Sequence, residues 1–254
     1  MSHFAVAIFS HAPEDIEELL EPFNECSVNP EHMELIPADE SIDDMRAKYE
    51  QEKTDGESFE DFVSRYYGYV YSEELDECGC LCNPYAKWDW YQLGGRWSDS
   101  LKLKPGCAGN RGERSWTNES LPPRDGYCDQ ARLKDVDFAM DQDAYNAAAR
   151  FWEIVVEGQP LRDGETAEQF RPYFTREYYL SQFGDKDTYA RDMASFSPWA
   201  FVTPDGEWHE NGEMGWFGAN NATADSRRKF EDTLRKTLLE ADPNVWISIV
   251  DCHI

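Results

Sequence analysis

The sequence predicts an α+β fold in which the N- and C-terminal segments form a ferredoxin-like antiparallel sheet, interrupted by a long helical and loop-rich insertion. Three observations predict it. An apolar run followed by a helical pattern opens the chain, residues 199–254 contain the patterns of a hairpin, a helix and a strand, and the long segment between them has mixed character. The order β-α at one end and β-β-α-β at the other is typical of sheets whose terminal strands are neighbours.

The first element is a strand. Residues 3–9 form a short apolar run that ends at Ser10, which predicts a buried strand. Pro13 suits the first turn of a helix, and the acidic residues that follow complement a helix N-terminus. Ile16 and Leu20 then recur at helical spacing, so the pattern predicts a helix directly after the strand.

The C-terminal elements follow the same logic. Residues 199–203 and 207–209 flank a Pro-Asp-Gly turn and predict a hairpin, and a further short strand is predicted near residues 214–217. Residues 226–239 carry apolar side chains on one helical face, and residues 245–250 are rich in strand formers. A helix and a final strand therefore close the predicted sheet.

The middle of the chain predicts helices and loops. We expect one domain over residues 1–254, in which an acidic helical region, 37–77, and a Cys- and Gly-rich loop region, 78–130, are insertions in the sheet. Helical patterns are found at residues 42–51, 59–71, 141–156 and 175–194.

The composition excludes several functional classes. With 24 basic and 51 acidic residues the formal net charge is −27, so the mean field of the protein repels nucleic acid and anionic lipid. No apolar run is long enough for a membrane span, and the N-terminus lacks the basic start of a signal peptide, which predicts a protein of the cytoplasm. Seven cysteines, an odd number, argue against a disulfide framework.

The negative charge is concentrated near the N-terminus. Residues 1–77 carry 22 acidic and four basic side chains, a net charge of −18. The first interpretation is a solvated helical surface. The second is an anionic face that competes with nucleic acid for a basic protein groove, because carboxylates along helices can imitate phosphate charge. The predicted partner-binding residues are Asp43, Asp44, Glu60 and Asp61.

Residues 83–99 are the most information-rich segment, and we expect them to form a hairpin. On an extended strand Trp88 and Trp90 share one face, and two consecutive glycines permit a turn with positive φ. The segment is either structural, with packed Trp rings, or a site in which backbone amides, Arg96 and stacking rings hold a nucleotide-like anion. The predicted ligand-binding residues are Lys87, Trp88, Asp89, Trp90, Tyr91, Gly94, Gly95, Arg96, His209 and His253.

Four sequence blocks resemble a family of bacteriophage and prophage proteins from Gram-positive hosts. The blocks are NPYAKWDWYQLGGRW from Asn83, VDF at 136–138, DGEWHENGEMGWFG at 205–218 and the closing VDCHI. The similarity covers roughly residues 1–10 and 83–254. It implies a phage accessory factor, but no activity, fold or catalytic residue is established for the family. The Cys-Gly-Cys-Leu-Cys run at 78–82 lies outside this pattern.

That cysteine run is a candidate zinc site. Cys78, Cys80 and Cys82, with Cys107 or Cys128 downstream, provide enough sulfur ligands, although their spacing differs from that of a zinc knuckle. Free thiols are the alternative, and we expect no other cofactor.

The chain lacks the motifs of common enzymes. It has no Gly-x-Ser-x-Gly, Walker A, His-Glu-x-x-His or Rossmann glycine pattern, so an enzyme of those classes is not expected. Near the C-terminus Asp251 and His253 point to one face of a strand and Cys252 to the other, which disfavours a Cys-His pair. His253 with Asp251, or with Asp89 and His209, is an alternative acid-base or ligand cluster.

These observations predict a phage-encoded acidic protein that binds a host protein and inhibits a host-defence or nucleic-acid-handling complex. The expected partner is a host protein such as a nucleic-acid-binding effector, with no direct binding to nucleic acid or membrane. The alternative is a protein that binds or hydrolyses a nucleotide-like ligand at the Gly-Gly-Arg segment.

Overall fold

In the computed structural model, which describes residues 2–27, 29–215 and 218–254, the chain divides into two compact units. Met1–Leu20 and Trp90–Ile254 form the main unit, and Glu21–Asp89 form what we call the acidic unit. Both contain helices and strands, which confirms the α+β class. The predicted insertions at 37–77 and 78–130 do not coincide with the boundaries of the acidic unit.

The main unit contains nine described strands and five described helices. The strands are β1 (His3–Ser10), β5 (Trp90–Gly95), β6 (Leu101–Lys102), β7 (Glu113–Arg114), β8 (Tyr127–Cys128), β9 (Gln130–Arg132), β10 (Ala200–Val202), β11 (Trp208–Glu210) and β12 (Trp246–His253). The helices are α1 (Ile16–Leu20), α4 (Gln142–Val155), α5 (Arg176–Phe183), α6 (Lys186–Ala194) and α7 (Ala224–Glu240).

The terminal strands lie side by side, as predicted. β1 and β12 pair antiparallel over their whole length, from His3 opposite His253 to Ser10 opposite Trp246. Both strands are buried along almost their entire length, which explains why their sequences are nearly continuous apolar runs rather than alternating ones. This pair is the centre of the main sheet.

The main sheet is mixed, so the ferredoxin-like antiparallel arrangement is not confirmed. Its order is β11-β10-β1-β12-β5-β7, and β9 also pairs with β12. The predicted hairpin is present as β10 and β11, but β10 lies parallel to β1, with Val6 opposite Ala200. A parallel neighbour requires a long crossover, which the chain between β1 and β10 provides.

One face of this sheet carries the core. Phe9 and Phe201 are fully buried and pack edge to face with ring centroids 5.9 Å apart, and Phe230 and Leu234 of α7 cover them. Burial of each large apolar side chain contributes about 1.5–3 kcal/mol. The predicted helix at 226–239 is therefore confirmed, and its apolar stripe holds it against the sheet.

Two other predictions differ from the structure in detail. The pattern at 175–194 forms α5 and α6 rather than one helix, because Gly184 has a φ of +76° and ends the first. Of the strand predicted near 214–217, Met214 forms an isolated bridge to Asn220, and residues 216 and 217 lie outside the described residues.

The acidic unit packs two helices against a small sheet. The elements are β2 (Glu34–Pro37), α2 (Ile42–Glu52), α3 (Phe59–Tyr67), β3 (Val70–Ser72) and β4 (Glu77–Cys82). The strand order is β2-β4-β3, and all pairs are antiparallel. Met45, Phe62, Val63 and Cys78 form the buried centre. The predicted helix at 59–71 ends early because Gly68, with a φ of +73°, caps it.

None of the described helices has the length and apolar character needed to cross a membrane.

Candidate functional site

The Gly-Gly turn of the predicted ligand site lies against two buried carboxylates. Gly94 and Gly95 end β5 with φ angles of +75° and +53°. A Cβ atom on Gly94 would lie 2.7 Å from Asp129 Oδ2, and one on Gly95 would lie 2.4 Å from the Cβ of Asp251. The glycines therefore allow two buried carboxylates to approach the backbone, which explains the motif without a ligand.

The hairpin predicted over residues 83–99 is wrong. β5 pairs antiparallel with β12 and parallel with β7, and the chain after Gly95 turns away through a hydrogen bond from the Trp97 amide to the Gly94 carbonyl. The positive φ of both glycines lets the chain leave the sheet at this point rather than return beside β5.

Asp251 is the centre of a polar cluster at the end of β12. Its side chain is 1% exposed, Oδ2 accepts a 2.9 Å hydrogen bond from the Arg96 amide, and Oδ1 lies 2.8 Å from His3 Nδ1. An ionised carboxylate only accepts hydrogen bonds, so this contact assigns the Nδ1 proton to His3. Asp251 therefore fixes the orientation of the imidazole ring.

Asp129 is held in a similar way by backbone amides. Its two oxygens accept hydrogen bonds from the amides of Asp99 and Gly112, at 2.5 and 2.8 Å. Burial raises the pKa of Asp129 above its ordinary value, although the two amides oppose this by donating to the charged form. Next to it, Asp99 forms an ion pair with Arg114. These contacts are internal and connect the loops around β5.

The structure brings together only part of the predicted ligand-binding set. His253 lies opposite both His3 and Trp90, and its ring centroid is 4.9 Å from that of His3. The Trp90 ring is 47% exposed and meets His3 at its edge. Burial raises the pKa of the Tyr91 hydroxyl. The Arg96 guanidinium is exposed and has no ion-pair partner within the described parts of the chain.

Other predicted residues lie elsewhere. Lys87, Trp88 and Asp89 belong to the acidic unit, where Trp88 is 5% exposed and is not free to stack on a ligand. His209 stacks on Phe201 on the edge strand β11, three strands from β12. At about 4.8 Å per strand, His209 is too far from His253 to act with it, so a combined His209 and His253 cluster is not formed.

His3 is a residue of this site that the sequence did not indicate. A cavity of about 230 Å³ lies beside the Asp251 cluster, and its lining residues include this histidine, Trp97, Trp199, Asn211 and Arg227. One signal could have identified His3: if the terminal strands pair antiparallel, the third residue from the N-terminus falls near the closing Asp251-Cys252-His253 block. No comparable signal exists for residues that loops bring to the cavity.

The predicted zinc ligands are not brought together. Cys78, Cys80 and Cys82 alternate along β4, where the first is buried and the others are exposed. At about 6.7 Å for every two strand residues, the ends of this row are roughly 13 Å apart, and zinc needs each sulfur at about 2.3 Å. Cys107 lies in the main unit beside Asp135. Among the residues described, no group of three or more His, Cys, Asp or Glu side chains is arranged to hold a metal.

The predicted partner-binding carboxylates have two different roles. Asp44 and Asp61 accept hydrogen bonds of 2.8 and 2.7 Å from Ser41 and Ser58, the N-caps of α2 and α3, and their own amides donate back to the same hydroxyls. They therefore stabilise the helix starts. Asp43 and Glu60 precede them, are exposed, and form no ion pair within the described residues.

The cations of the acidic unit are mostly paired inside it. Ion pairs join Lys48 to Glu52 at 2.6 Å, Lys53 to Glu50 at 2.9 Å and Arg65 to Glu57 at 2.6 Å, and Arg46 pairs with Asp76. Hydrogen bonds from Arg65 lower the pKa of Glu57 to about 2, so this carboxylate is charged at all physiological pH values. The unpaired surface charge is therefore negative.

The acidic unit also exposes apolar side chains on its sheet. Ile36, Val70 and Leu81 are each nearly half exposed, and Leu35 lies opposite Leu81. Leu81 and Val70 lie on the opposite face of the sheet from the buried Cys78, which packs against the helices, whereas Ile36 pairs with Cys80 and lies on the Cys78 face. This unit thus combines exposed apolar groups with a negative surface.

Comparisons of the chain with family models, curated proteins and solved structures found no match. The similarity to phage proteins therefore stays a prediction from the sequence blocks.

Proposed function

We propose that this chain is a phage-encoded acidic protein that binds a basic surface of a host protein through the acidic unit. In this proposal, binding inhibits a host-defence or nucleic-acid-handling complex in the bacterial cytoplasm. The chain acts by occupying a surface that nucleic acid would otherwise contact, and it catalyses no reaction.

The observation that carries the proposal is the concentration of negative surface charge on the acidic unit. The acidic unit has 19 acidic and five basic side chains, a net charge of −14, so just over half of the chain's −27 lies in the smaller unit. Cations of both helices form ion pairs within the unit, whereas Asp43 and Glu60 project their carboxylates from the starts of the same helices. Such a surface attracts a basic partner and speeds its association.

The exposed apolar groups support a protein as the partner. Val70 and Leu81 share one face of the small sheet and offer exposed apolar surface that gains from burial, as the apolar centres of protein interfaces do. A surface that only kept the protein soluble would need the charges but not these side chains.

A nucleotide-like ligand at the Gly-Gly-Arg segment has less support. Gly94 and Gly95 face Asp129 and Asp251, the Arg96 amide donates to Asp251, and two buried carboxylates next to the turn disfavour a phosphate.

Capture of partners from a bacterial lysate at about 0.15 M salt, close to the physiological ionic strength, tests the proposal. The bait proteins are the wild-type chain and a double variant, Asp43→Lys with Glu60→Lys, which leaves the capping residues Asp44 and Asp61 intact. We expect a basic host protein to be retained in stoichiometric amount by the wild type and lost with the variant. Retention of the same protein by both baits, or of none by the wild type, contradicts the proposal.

A further inference from the structure

The cavity beside His3 in the main unit has the chemistry of a small-ligand site. It is an open cavity of about 230 Å³ at the N-terminal end of β1, and its polar lining includes His3, Asp192, Asn211 and Arg227. We propose that it binds a planar, uncharged heterocycle of nucleobase size, which donates a hydrogen bond to Nε2 of His3.

The hydrogen bond to Asp251 determines what His3 presents. In the neutral tautomer that donates from Nδ1 to Asp251, Nε2 carries a lone pair and acts as an acceptor. The Arg96 amide holds the second oxygen of Asp251 at 2.9 Å, so the carboxylate stays in position. The His3 side chain is 18% exposed, and Nε2 has no hydrogen-bond partner within the described residues. A ligand N–H group fits this acceptor.

The remaining lining favours an uncharged ligand. The carboxylate of Asp192 and the guanidinium of Arg227 are 2.9 Å apart and neutralise each other, and their side chains are only 6% and 11% exposed. A charged ligand would find no free countercharge here. The cavity can therefore hydrogen-bond to neutral donor and acceptor groups of a ligand but cannot neutralise a charged one.

Three lining residues have unsatisfied polar atoms. Asn211 is 3% exposed, and its Oδ1, the Nε1 of Trp199 and the Nε of Arg227 have no hydrogen-bond partner among the described residues. Buried polar atoms are nearly always paired, so each such atom calls for an explanation. A ligand that carries both a donor and an acceptor supplies partners for them.

The size and shape of the cavity restrict the class of ligand further. The indole rings of Trp97 and Trp199 and the side chain of Met214 give the cavity flat apolar walls, against which a planar ring gains the most contact. Its volume is below the roughly 300–1,000 Å³ of sites for drug-sized molecules, so one or two fused rings fill it. The proposal is independent of partner binding, because every lining residue belongs to the main unit.

The test uses free bases as probes. Adenine, hypoxanthine, cytosine and uracil, each at about 1 mM, are added to the full-length protein, and binding is followed by ligand-observed NMR and calorimetry. We expect at least one base to bind and the variant His3→Ala to weaken its binding by about tenfold or more. His209→Ala is the matched control, since His209 is on β11 and is not among the residues that line the cavity, and it should bind the base as the wild type does.

A second variant separates hydrogen-bond chemistry from folding. Asp251→Asn keeps the shape and still accepts from the Arg96 amide, but its amide group donates to Nδ1 and so moves the ring proton to Nε2. Bases that bind the wild type should then bind at least about tenfold more weakly, while the melting temperature of the variant stays close to that of the wild type. The proposal is overturned if no base binds the wild type, or if His3→Ala and Asp251→Asn bind the bases as the wild type does.

Discussion

Carboxylates in the two units of this chain have opposite environments. In the acidic unit Asp43 and Glu60 are exposed at helix starts and form no ion pair within the described residues. In the main unit Asp129 and Asp251 are each 1% exposed and accept hydrogen bonds from backbone amides. The difference teaches that an acidic composition alone does not define function, because the same side chain can hold loops together or form a binding surface.

Substitutions can separate the roles of the buried and the exposed carboxylates. Changes next to the buried carboxylates should lower stability and leave the anionic surface unchanged. Changes to the exposed carboxylates should alter the anionic surface and leave stability nearly unchanged.

The largest expected effect comes from Gly95→Ala. A Cβ at this position collides with Asp251 and the backbone has positive φ, so we expect the free energy of unfolding to fall by about 3 kcal/mol. Gly158→Ala is the control: its φ is +71° but its surroundings are open, and the strain alone should cost about 1 kcal/mol. Urea denaturation measures both. Equal losses would show that Asp251 does not fill the space beside Gly95.

Asp129→Asn should lower the free energy of unfolding by about 1–3 kcal/mol. Both carboxylate oxygens accept amide hydrogens, and an asparagine has only one oxygen to replace them, so one amide loses its partner. Asp163→Asn, at an exposed position, serves as the control for the loss of a charge. If urea denaturation shows Asp129→Asn to be as stable as the wild type, the result contradicts the assigned hydrogen bonds.

Asp129→Asn should also change how the free energy of unfolding depends on pH. Because burial raises the pKa of folded Asp129, the folded state binds this proton more readily than the unfolded state does. The contribution of Asp129 to the free energy of unfolding therefore increases as pH falls through the folded pKa towards the pKa of an unfolded aspartate, which is about 4. This contribution is lost again as pH rises. The difference in unfolding free energy between wild type and Asp129→Asn should grow as pH falls over this range. A difference that stays constant with pH contradicts the raised pKa.

Much of the fold could be predicted because local patterns determined it. The apolar runs of β1 and β12, the turn between β10 and β11, and the amphipathic stripe of α7 each carry their own signal. The parallel pairing of β1 with β10 had no local signal, since it depends on which strand packs beside which after a long insertion.

The site was less predictable for the same reason. Gly94 and Gly95 indicated a close approach, but the sequence could not show that Asp129 and Asp251 make it. Likewise, the cysteines at alternate positions looked like a metal site, although strand geometry separates them. A pattern specifies which conformation a segment can adopt, while its neighbours come from the tertiary fold.

A smaller effect is expected at the helix caps of the acidic unit. Ser58→Ala removes the side chain that caps α3 and bonds to Asp61, and should lower stability by about 1 kcal/mol. Hydrogen exchange of the first α3 amides measures the loss locally. Ser64→Ala, later in the same helix and exposed, should leave these amides as protected as in the wild type. Unchanged exchange in Ser58→Ala would assign Asp61 to the free anionic surface instead.

The smallest effect on stability is expected for the double variant Asp43→Lys with Glu60→Lys. Neither side chain is buried or capping, and the unfavourable interaction of two lysines with the helix dipoles should cost less than about 2 kcal/mol in total. Thermal unfolding checks this value. A larger loss would mean that these carboxylates are structural, like Asp129.

The affinity of the captured partner for two matched variants tests the central claim most directly. Asp143→Lys with Glu177→Lys makes the same charge change at the same helical position, in α4 and α5 of the main unit, as Asp43→Lys with Glu60→Lys makes in α2 and α3. At about 0.15 M salt we predict at least a tenfold loss of affinity for the variant in the acidic unit and a loss of less than threefold for the main-unit variant. Equal losses for the two variants would show that only the total charge matters, and would contradict a binding surface on the acidic unit.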